Sequence, residues 1–316
     1  AKNRLRRGWE WLPAALCLPF FVAFLVVSLS RIGVPFELEW NEGHSAEQAW
    51  RFATGKALYP APEQGWVPYM YAPGYHMVVG ALMALSGKPL LFWGRLVSLL
   101  SALAAGSAIF AIVFDRTRHL AAAVFAAMLW FAFFAPSGFW FDIARSDSLA
   151  VALCGWGVFL TLRRSPSPKS IAAGFLIFVL ATLTKQTCGP VALACAGVLL
   201  LRGNKAARIM TIVVALLTIN AVLLFRAAGN SHFLHYTVTN ALAHYSDSSV
   251  WEERMWQALG RPTWLLMLGI AAWLVGSLAR GRRPHGVIYF IPAGVMIAGS
   301  MSSYAKFGGF VNNKMP

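Results

Sequence analysis

Long apolar runs separated by short basic segments make up most of the chain. A membrane-spanning helix needs about 20 predominantly apolar residues. The pattern therefore predicts an all-α, polytopic membrane protein with about nine transmembrane helices. The predicted spans are Leu12–Ser30, Leu91–Phe114, Ala121–Ala135, Ser148–Leu162, Ile171–Thr184, Pro190–Leu201, Ile209–Phe225, Trp264–Leu278 and Val287–Met301.

The segment between the first two predicted spans, residues 31–90, has a different pattern. Its first part holds four carboxylates: Glu37, Glu39, Glu42 and Glu47. A short amphipathic helix is predicted from about His44 to Thr54, where Ser45 and Gln48 have the spacing of a capping box. Such a helix is expected to lie on the bilayer surface.

A second apolar run in this segment, Gly74–Leu85, has only about a dozen residues, too few for a span. If it crossed the membrane, every later basic cluster would change sides. We therefore predict that it lies in the interface or re-enters the membrane. The basic clusters that then share the inner side are Arg116 and Arg118; Arg163, Arg164 and Lys169; Arg202, Lys205 and Arg208; and Arg280, Arg282 and Arg283.

Charge around the first span predicts the orientation. Four basic residues precede it (Lys2, Arg4, Arg6 and Arg7), which places the N-terminus in the cytoplasm by the positive-inside rule. The protein is thus expected to be a multi-pass protein of the plasma (inner) membrane, with residues 31–90 on the periplasmic or extracellular face. Nearly all acidic residues fall on that face, which indicates that it carries the function.

Composition supports this assignment. Charged residues are 12% of the chain and hydrophobic residues 58%, whereas a soluble domain has about 25% charged residues. The net charge of +15 does not predict nucleic-acid binding, because the basic residues form no continuous face. The four cysteines lie in or beside apolar runs and fit no metal-binding spacing. No cofactor is implied, and a divalent metal ion stays open.

The domain organisation predicted is one membrane domain over residues 1–316. Its parts are the first span (12–30), the outer acidic loop with juxtamembrane helices (31–90), a helical bundle (91–301) and an outer terminal segment (302–316). The chain is expected to be part of a longer protein.

Ionisable residues cluster at the outer ends of three predicted spans. Arg95 lies just inside the second span, Asp142–Asp147 opens the fourth, and Lys185 with Gln186 ends the fifth. Charges at such positions are costly unless they pair or serve a site. One interpretation is structural, with Arg145 paired to Asp147 or Asp142. The other is a functional site facing the acidic loop.

Several short motifs, in this order and spacing, resemble the integral-membrane glycosyltransferases of the C superfamily (GT-C). Within that superfamily they are most similar to the protein-mannosyltransferase and aminoarabinose-transferase branch, glycosyltransferase family 39. The motifs are Glu39-Trp40-Asn41-Glu42-Gly43, Tyr71-Ala72-Pro73-Gly74-Tyr75, Arg95-Leu96-Val97-Ser98, Ala144-Arg145-Ser146-Asp147-Ser148-Leu149 and Leu183-Thr184-Lys185-Gln186. The chain departs from the family pattern at Asn41, where many members have Asp, and at Gly74, where they have Pro.

The resemblance implies an inverting transfer of sugar from a polyprenyl phosphate to an acceptor hydroxyl at the outer membrane face. A carboxylate would take the acceptor's proton, and cations would hold the phosphate charge. Glu42 is the predicted base and Glu39 the second choice. The predicted phosphate ligands are Arg95, Arg145 and Lys185, with Asp147 orienting Arg145. The residues Tyr71, His76 and Gln186 are predicted to line the substrate site.

Other functions remain open at this stage. The chain could be an inactive, glycosyltransferase-like structural subunit that packs against protein subunits of a larger membrane complex. A transporter is less consistent with the sequence, because its ionisable residues gather at one face rather than near the bilayer midplane. The expected partners are the polyprenyl-phosphate-linked sugar and membrane lipid.

Overall fold

A computed structural model describes residues 9–203, 205–243, 252 and 287–304, and within these ranges all regular structure is helical. The α-helices are α1 (Leu12–Arg31), α2 (Glu42–Ala53), α3 (Gly74–Ser86), α4 (Leu91–Thr117), α5 (Leu120–Ala132), α6 (Asp147–Leu162), α7 (Pro168–Thr184), α8 (Gly189–Leu201), α9 (Lys205–Ala227), α10 (Asn240–Ala243) and α11 (Phe290–Tyr304). Short 3-10 turns occur at Pro62–Gln64, Gln186–Cys188 and Val287–Tyr289, and one π-helical turn at His235–Thr239.

The chain is an all-α, polytopic membrane protein, as the apolar pattern predicted. The predicted spans within the described residues coincide with helices α1, α4 to α9 and α11, whereas Trp264–Leu278 lies outside these residues. Three described stretches are long and apolar enough to cross a bilayer by themselves: α1, α4 and the Arg208–Ala227 part of α9. Helices α3 and α5 to α8 are apolar but shorter.

Local sequence sets several of the helix ends. Helix α5 begins where the His119 ring nitrogen Nδ1 accepts a hydrogen bond from the Ala122 amide. Helix α7 begins where the Ser167 hydroxyl accepts one from the Ser170 amide. Such caps satisfy amides that have no partner within the helix. Helix α3 ends at Gly87, whose φ of 67° is a left-handed conformation that glycine adopts without strain.

Small residues let the helices of the bundle approach closely. Helix α6 packs on α4 and α7, and α1 packs on α5. At Gly157 on α6, an added Cβ would lie 2.9 Å from the Phe178 ring on α7. At Gly174 on α7, it would lie 2.6 Å from the Thr161 methyl group. Close approach at small residues is the usual way in which membrane helices gain packing energy.

The predicted loop helix exists as α2, but it starts at Glu42 rather than His44, and the predicted capping box is wrong. Ser45 and Gln48 both lie buried inside the helix, where α2 packs against α3. Gln48 instead accepts a hydrogen bond from the Tyr69 amide, 2.7 Å from its Oε1. Because both side chains are buried within α2, they do not cap its start.

Helix α3 corresponds to the predicted non-spanning run and has 13 residues. Its first residue, Gly74, lies against the end of α7. A Cβ at this position would be 2.7 Å from the Leu183 carbonyl oxygen, which is backbone and cannot move aside. This contact explains why a glycine stands where the resembling family has a proline.

The Asn230 side chain and two aromatic rings hold residues 58 and 59 of the predicted outer loop against the end of α9 and the segment after it. The Asn230 side-chain oxygen accepts hydrogen bonds from the amides of Leu58 and Tyr59, at 2.7 and 3.0 Å. The Tyr59 ring packs against Phe225 and Phe233, with ring centroids 5.7 and 5.1 Å away. The loop is therefore held in place by residues more than 160 positions later in the chain.

Candidate active site

The predicted base, Glu42, forms a buried ion pair with Arg95. Its Oε1 accepts hydrogen bonds from Arg95 Nε (3.0 Å) and the Ala144 amide (2.7 Å). Its Oε2 accepts hydrogen bonds from Arg95 Nη2 and the Leu38 amide, both at 2.7 Å. Burial by itself would raise the pKa of Glu42, but these hydrogen bonds lower it below the ordinary value. A carboxylate that is fully hydrogen-bonded and holds its charge so firmly is poorly suited to accept a proton from a substrate.

Arg95 is likewise fully hydrogen-bonded within the protein. Besides the two bonds to Glu42, its Nη1 donates to the carbonyls of Arg31 and Val34, and its Nη2 donates to that of Phe36. All five N–H groups of a guanidinium are thereby used. The prediction that Arg95 binds phosphate is corrected here: it fastens the loop after α1 to α4 and has no donor left for a ligand.

Glu39, the second choice for the base, has a different environment. Its Oε2 accepts hydrogen bonds from the Asn41 amide (3.1 Å) and from Arg145 Nη1 (3.2 Å). Its Oε1 is buried and has no hydrogen-bond partner among the described residues. Burial raises the pKa of Glu39 above the ordinary value, although the charge of Arg145 opposes this. Of the two carboxylates, Glu39 is the one with an oxygen that can take a proton.

Arg145, which contacts Glu39, shares the Asp147 carboxylate with a second cation, Lys185. Asp147 Oδ1 accepts a hydrogen bond from Lys185 Nζ at 2.6 Å, and its Oδ2 lies 3.7 Å from Arg145 Nε. Although burial disfavours the charge of Lys185, the neighbouring Asp147 carboxylate raises its pKa above the ordinary value. Both side chains are therefore cations at neutral pH, and Asp147 orients them.

Aromatic rings fix the plane of the Arg145 guanidinium. It lies 5.3 Å from the Tyr69 ring centroid and 4.9 Å from that of Trp140. Lys185 Nζ lies 5.2 Å from the centroid of Tyr71. Contacts of this kind stabilise cations by attraction to the ring faces. Tyr69 and Trp140 were not predicted as site residues, and the only sequence signal for them is an aromatic residue near the motifs.

Two other residues predicted to line the substrate site are Gln186 and His76. Gln186 donates hydrogen bonds to the carbonyls of Met70 and Thr237, at 2.7 and 2.9 Å, and accepts one from the Ala72 amide at 3.2 Å. It therefore holds the backbone of the loop, and its role in binding substrate stays a prediction. His76 is buried at the start of α3, and its Nδ1 has no hydrogen-bond partner among the described residues.

Of the two structural partners predicted for Arg145, Asp147 lies 3.7 Å from it, whereas Asp142 pairs with Arg31 instead. Arg31, at the end of α1, donates its Nε to Asp142 Oδ2 at 2.6 Å and forms a second contact through Nη2. Asp142 is thus a helix-to-loop tether and does not compete for Arg145. No group of three or more His, Cys, Asp or Glu residues that could hold a metal ion occurs in the part of the chain that the structure describes.

Comparison with known protein families identifies the chain. The model of glycosyltransferase family 87 matches residues 69–300 of the 316. The chain belongs to glycosyltransferase family 87. The match runs from just before α3 into α11 and includes Arg145, Asp147 and Lys185, whereas Glu39 lies before it. The closer likeness to family 39, the protein-mannosyltransferase and aminoarabinose-transferase branch, stays a prediction.

Two solved structures share the fold of this family 87 chain. The crystal structure of ArnT from Cupriavidus metallidurans bound to undecaprenyl phosphate is 17% identical, with a TM-score of 0.63 over 96% of this chain. The apo state of the same protein is 19% identical, with a TM-score of 0.64 over 95%. The chain spans 58% of the length of either structure. No curated protein matches the chain in sequence.

Proposed function

We propose that this chain carries the active site of a membrane glycosyltransferase that uses a polyprenyl-phosphate-linked sugar as donor and a hydroxyl group as acceptor. One observation carries the proposal: Glu39 has a raised pKa and a buried oxygen without a hydrogen-bond partner among the described residues, and it contacts Arg145, which shares Asp147 with a second cation, Lys185. A base and an anion-binding pair are the two parts that such a transfer needs. The undecaprenyl phosphate in the crystal structure with the same fold supports this donor class.

The proposed reaction is a single displacement. The acceptor hydroxyl attacks the anomeric carbon while Glu39 Oε1 takes its proton, and the bond between that carbon and the phosphate oxygen breaks. The leaving phosphate keeps the electron pair, and Arg145 and Lys185 balance its charge. Phosphate leaves without protonation by a second acid, unlike the alcohol released in glycoside hydrolysis. One displacement inverts the anomeric configuration.

Glu42 and Arg95 have a supporting role in this mechanism. Glu42 is three residues after Glu39, and its hydrogen bond from the Ala144 amide lies next to Arg145. The pair therefore fixes the positions of both the base and its cationic neighbour. Preorganisation of this kind lets charged groups act without rearranging during the reaction.

The phosphate site can be tested on Lys185. Lys185→Gln is expected to weaken binding of undecaprenyl phosphate to the full chain in lipid nanodiscs by about tenfold to a hundredfold, the usual effect of losing a hydrogen bond to a charged group. Arg164→Gln is the matched control, because that side chain is exposed at the opposite end of α6. Equal weakening by both variants would contradict the assignment.

The proposed orientation places α2 outside the cell and the α6–α7 turn inside. Lys56, just after α2, and Ser165, in the α6–α7 turn, are both exposed. The four native cysteines are buried free thiols. In intact cells, a membrane-impermeant maleimide should label Lys56→Cys, and it should label Ser165→Cys only after permeabilisation. The reverse pattern would place the site on the cytoplasmic face.

The activity itself is tested by transfer from undecaprenyl-phosphate-linked sugars in proteoliposomes that contain the protein. If donor binds but no sugar is transferred in any preparation, the alternative of an inactive structural subunit is supported. In that case the acidic loop around Glu39 is expected to be buried against a partner protein.

A further inference from the structure

The end of the helical bundle opposite the candidate active site carries a group of arginine side chains. Helix α6 begins in that site at Asp147 and has 16 residues, so its other end at Leu162 lies about 24 Å away. The arginines at this far end lie at or just after the last turns of α4, α6 and α8. We call them the arginine cluster: Arg116, Arg118, Arg163, Arg164 and Arg202.

Arg116 holds several elements together at this end. Its Nε donates a hydrogen bond to the Tyr289 hydroxyl at 3.1 Å, and its Nη2 donates to the Leu162 carbonyl at the end of α6. The Tyr289 hydroxyl donates to the same carbonyl at 3.0 Å. Arg202, just after α8, lies close enough for its charge to act on Tyr289. The contacts therefore fix the ends of α4 and α6 against the turn that precedes α11.

Asp115 is the acid that contacts the arginine cluster. Its Oδ2 accepts a hydrogen bond from the Arg164 amide at 2.6 Å, and its Oδ1 lies 3.5 Å from Arg118 Nη2. In the part of the chain that the structure describes, Arg163, Arg164 and Arg202 form no ion pair. Because an arginine side chain keeps its charge at physiological pH, the arginine cluster has an excess of positive charge.

Arg163 has a buried donor that lacks an acceptor. Its Nε is buried and has no hydrogen-bond partner among the described residues. The guanidinium lies 5.5 Å from the ring centroid of Phe159, one turn back along α6, and this contact holds it in place. Buried polar groups without a partner are rare in native proteins and call for an explanation. The oxygens of a phosphate group would supply the missing acceptor, since arginine binds phosphate through charge-assisted hydrogen bonds.

The surface beside the arginine cluster is apolar. Leu120 follows Arg118 by two residues, and its side chain is exposed. Leu201, next to Arg202, and Ile209, in the first turns of α9, are exposed as well. A ligand that combines a phosphate group with hydrocarbon chains matches both the cations and these side chains. A soluble anion would match the cations alone.

We propose that the arginine cluster binds the headgroup phosphate of an anionic phospholipid, in the leaflet opposite the candidate active site. Arg163 and Arg202 contact the phosphate oxygens, and Arg116 positions them through its contacts with Leu162 and Tyr289. In the proposed orientation this is the cytoplasmic leaflet, whose anionic lipids attract basic segments. A lipid bound to the folded chain stabilises it by mass action.

The test compares dioleoylphosphatidylglycerol with dioleoylphosphatidylcholine on the purified protein in detergent micelles. Native mass spectrometry counts the bound lipids, and the wild type is expected to retain phosphatidylglycerol in preference. Arg163→Gln and Arg202→Gln should each weaken its binding by about fivefold, and the double variant by about thirtyfold, the usual effect of removing one or two cations. Phosphatidylglycerol should raise the midpoint of thermal unfolding of the wild type but not of the double variant.

Arg226→Gln is the matched control, because Arg226 is an exposed arginine at the opposite end of α9. It should leave binding of phosphatidylglycerol unchanged. Lys185→Gln should also leave it unchanged, because Lys185 lies in the site proposed for the donor lipid. Conversely, the double variant should bind undecaprenyl phosphate as the wild type does. These two comparisons separate the arginine cluster from the candidate active site.

Four outcomes would overturn the inference: the wild type binds both phospholipids equally, Arg226→Gln weakens phosphatidylglycerol as much as Arg163→Gln, Lys185→Gln abolishes its retention, or inorganic phosphate at millimolar concentration displaces it. The last outcome would indicate a site for a soluble anion instead of a lipid. Failure of the wild type to bind undecaprenyl phosphate, with selective retention of phosphatidylglycerol, would overturn the proposed function and support the lipid site.

Discussion

Glu39→Gln is expected to reduce sugar transfer by about a hundred- to ten-thousand-fold, the usual effect of removing a general base. The amide keeps the size of the side chain and can still accept the hydrogen bonds from the Asn41 amide and Arg145. It cannot take a proton from the acceptor. Folding and binding of undecaprenyl phosphate should therefore persist, and the loss should appear in kcat.

The matched control is Glu47→Gln, which changes an exposed glutamate on α2 and should leave transfer unaffected. A second readout is the pH profile. Because only the ionised carboxylate is a base and burial raises the pKa of Glu39, transfer should fall on acidification at a pH above the ordinary value of 4.5. Wild-type activity in Glu39→Gln would exclude Glu39 as the base.

Glu42→Ala or Arg95→Ala is expected to lower the free energy of unfolding by about 3–5 kcal/mol, because each leaves a buried charge without its partner. The ion pair joins the loop after α1, the start of α2, helix α4 and the loop before α6. Loss of either side chain should therefore reduce the amount of folded protein and lower the midpoint of thermal unfolding. Glu47→Ala, on the exposed side of the same helix, should change neither.

The double variant Glu42→Leu with Arg95→Met separates charge from packing. It removes both charges together, so it should be more stable than the sum of the single losses predicts.

The lowered pKa of Glu42 adds a pH dependence: its contribution to stability is present above the pKa of the unfolded chain and is lost as the pH falls through the lower, folded value. If Glu42→Gln keeps the wild-type thermal midpoint yet abolishes transfer, Glu42 is the base after all.

Much of the fold follows from local sequence. The apolar runs have the length of helices, and the described helices begin and end within a few residues of the predicted spans. The run Gly74–Leu85 is predicted not to span for the same reason of length, and the helix found there, α3, has 13 residues. The capping box was wrong because its two polar residues are buried inside α2, where Gln48 bonds the Tyr69 amide, and a local motif carries no information about partners that come later in the chain.

The sequence predicts the general region of the candidate site but not the role of each residue in it. Short motifs predicted that Glu39, Glu42, Arg145 and Lys185 lie at the outer face, and their order along the chain carried the resemblance to membrane glycosyltransferases. Glu39 and Glu42 are three residues apart, and the sequence gives no reason to prefer one of them as the base. The difference between them depends on the hydrogen-bond donors that other elements place beside each carboxylate.

The sequence by itself therefore determined the helical membrane class and predicted where the non-spanning segment and the candidate site lie. The tertiary structure distinguishes the two acids, because Arg95 on α4 and the Ala144 amide converge on Glu42 and, with the local Leu38 amide, give each of its oxygens two hydrogen bonds. Among the described residues, Glu39 pairs with one cation, Arg145, and its buried Oε1 has no hydrogen-bond partner. A carboxylate's ability to accept a proton depends on its burial and hydrogen bonds, and here the donors that decide it come from residues more than 50 positions away in the chain.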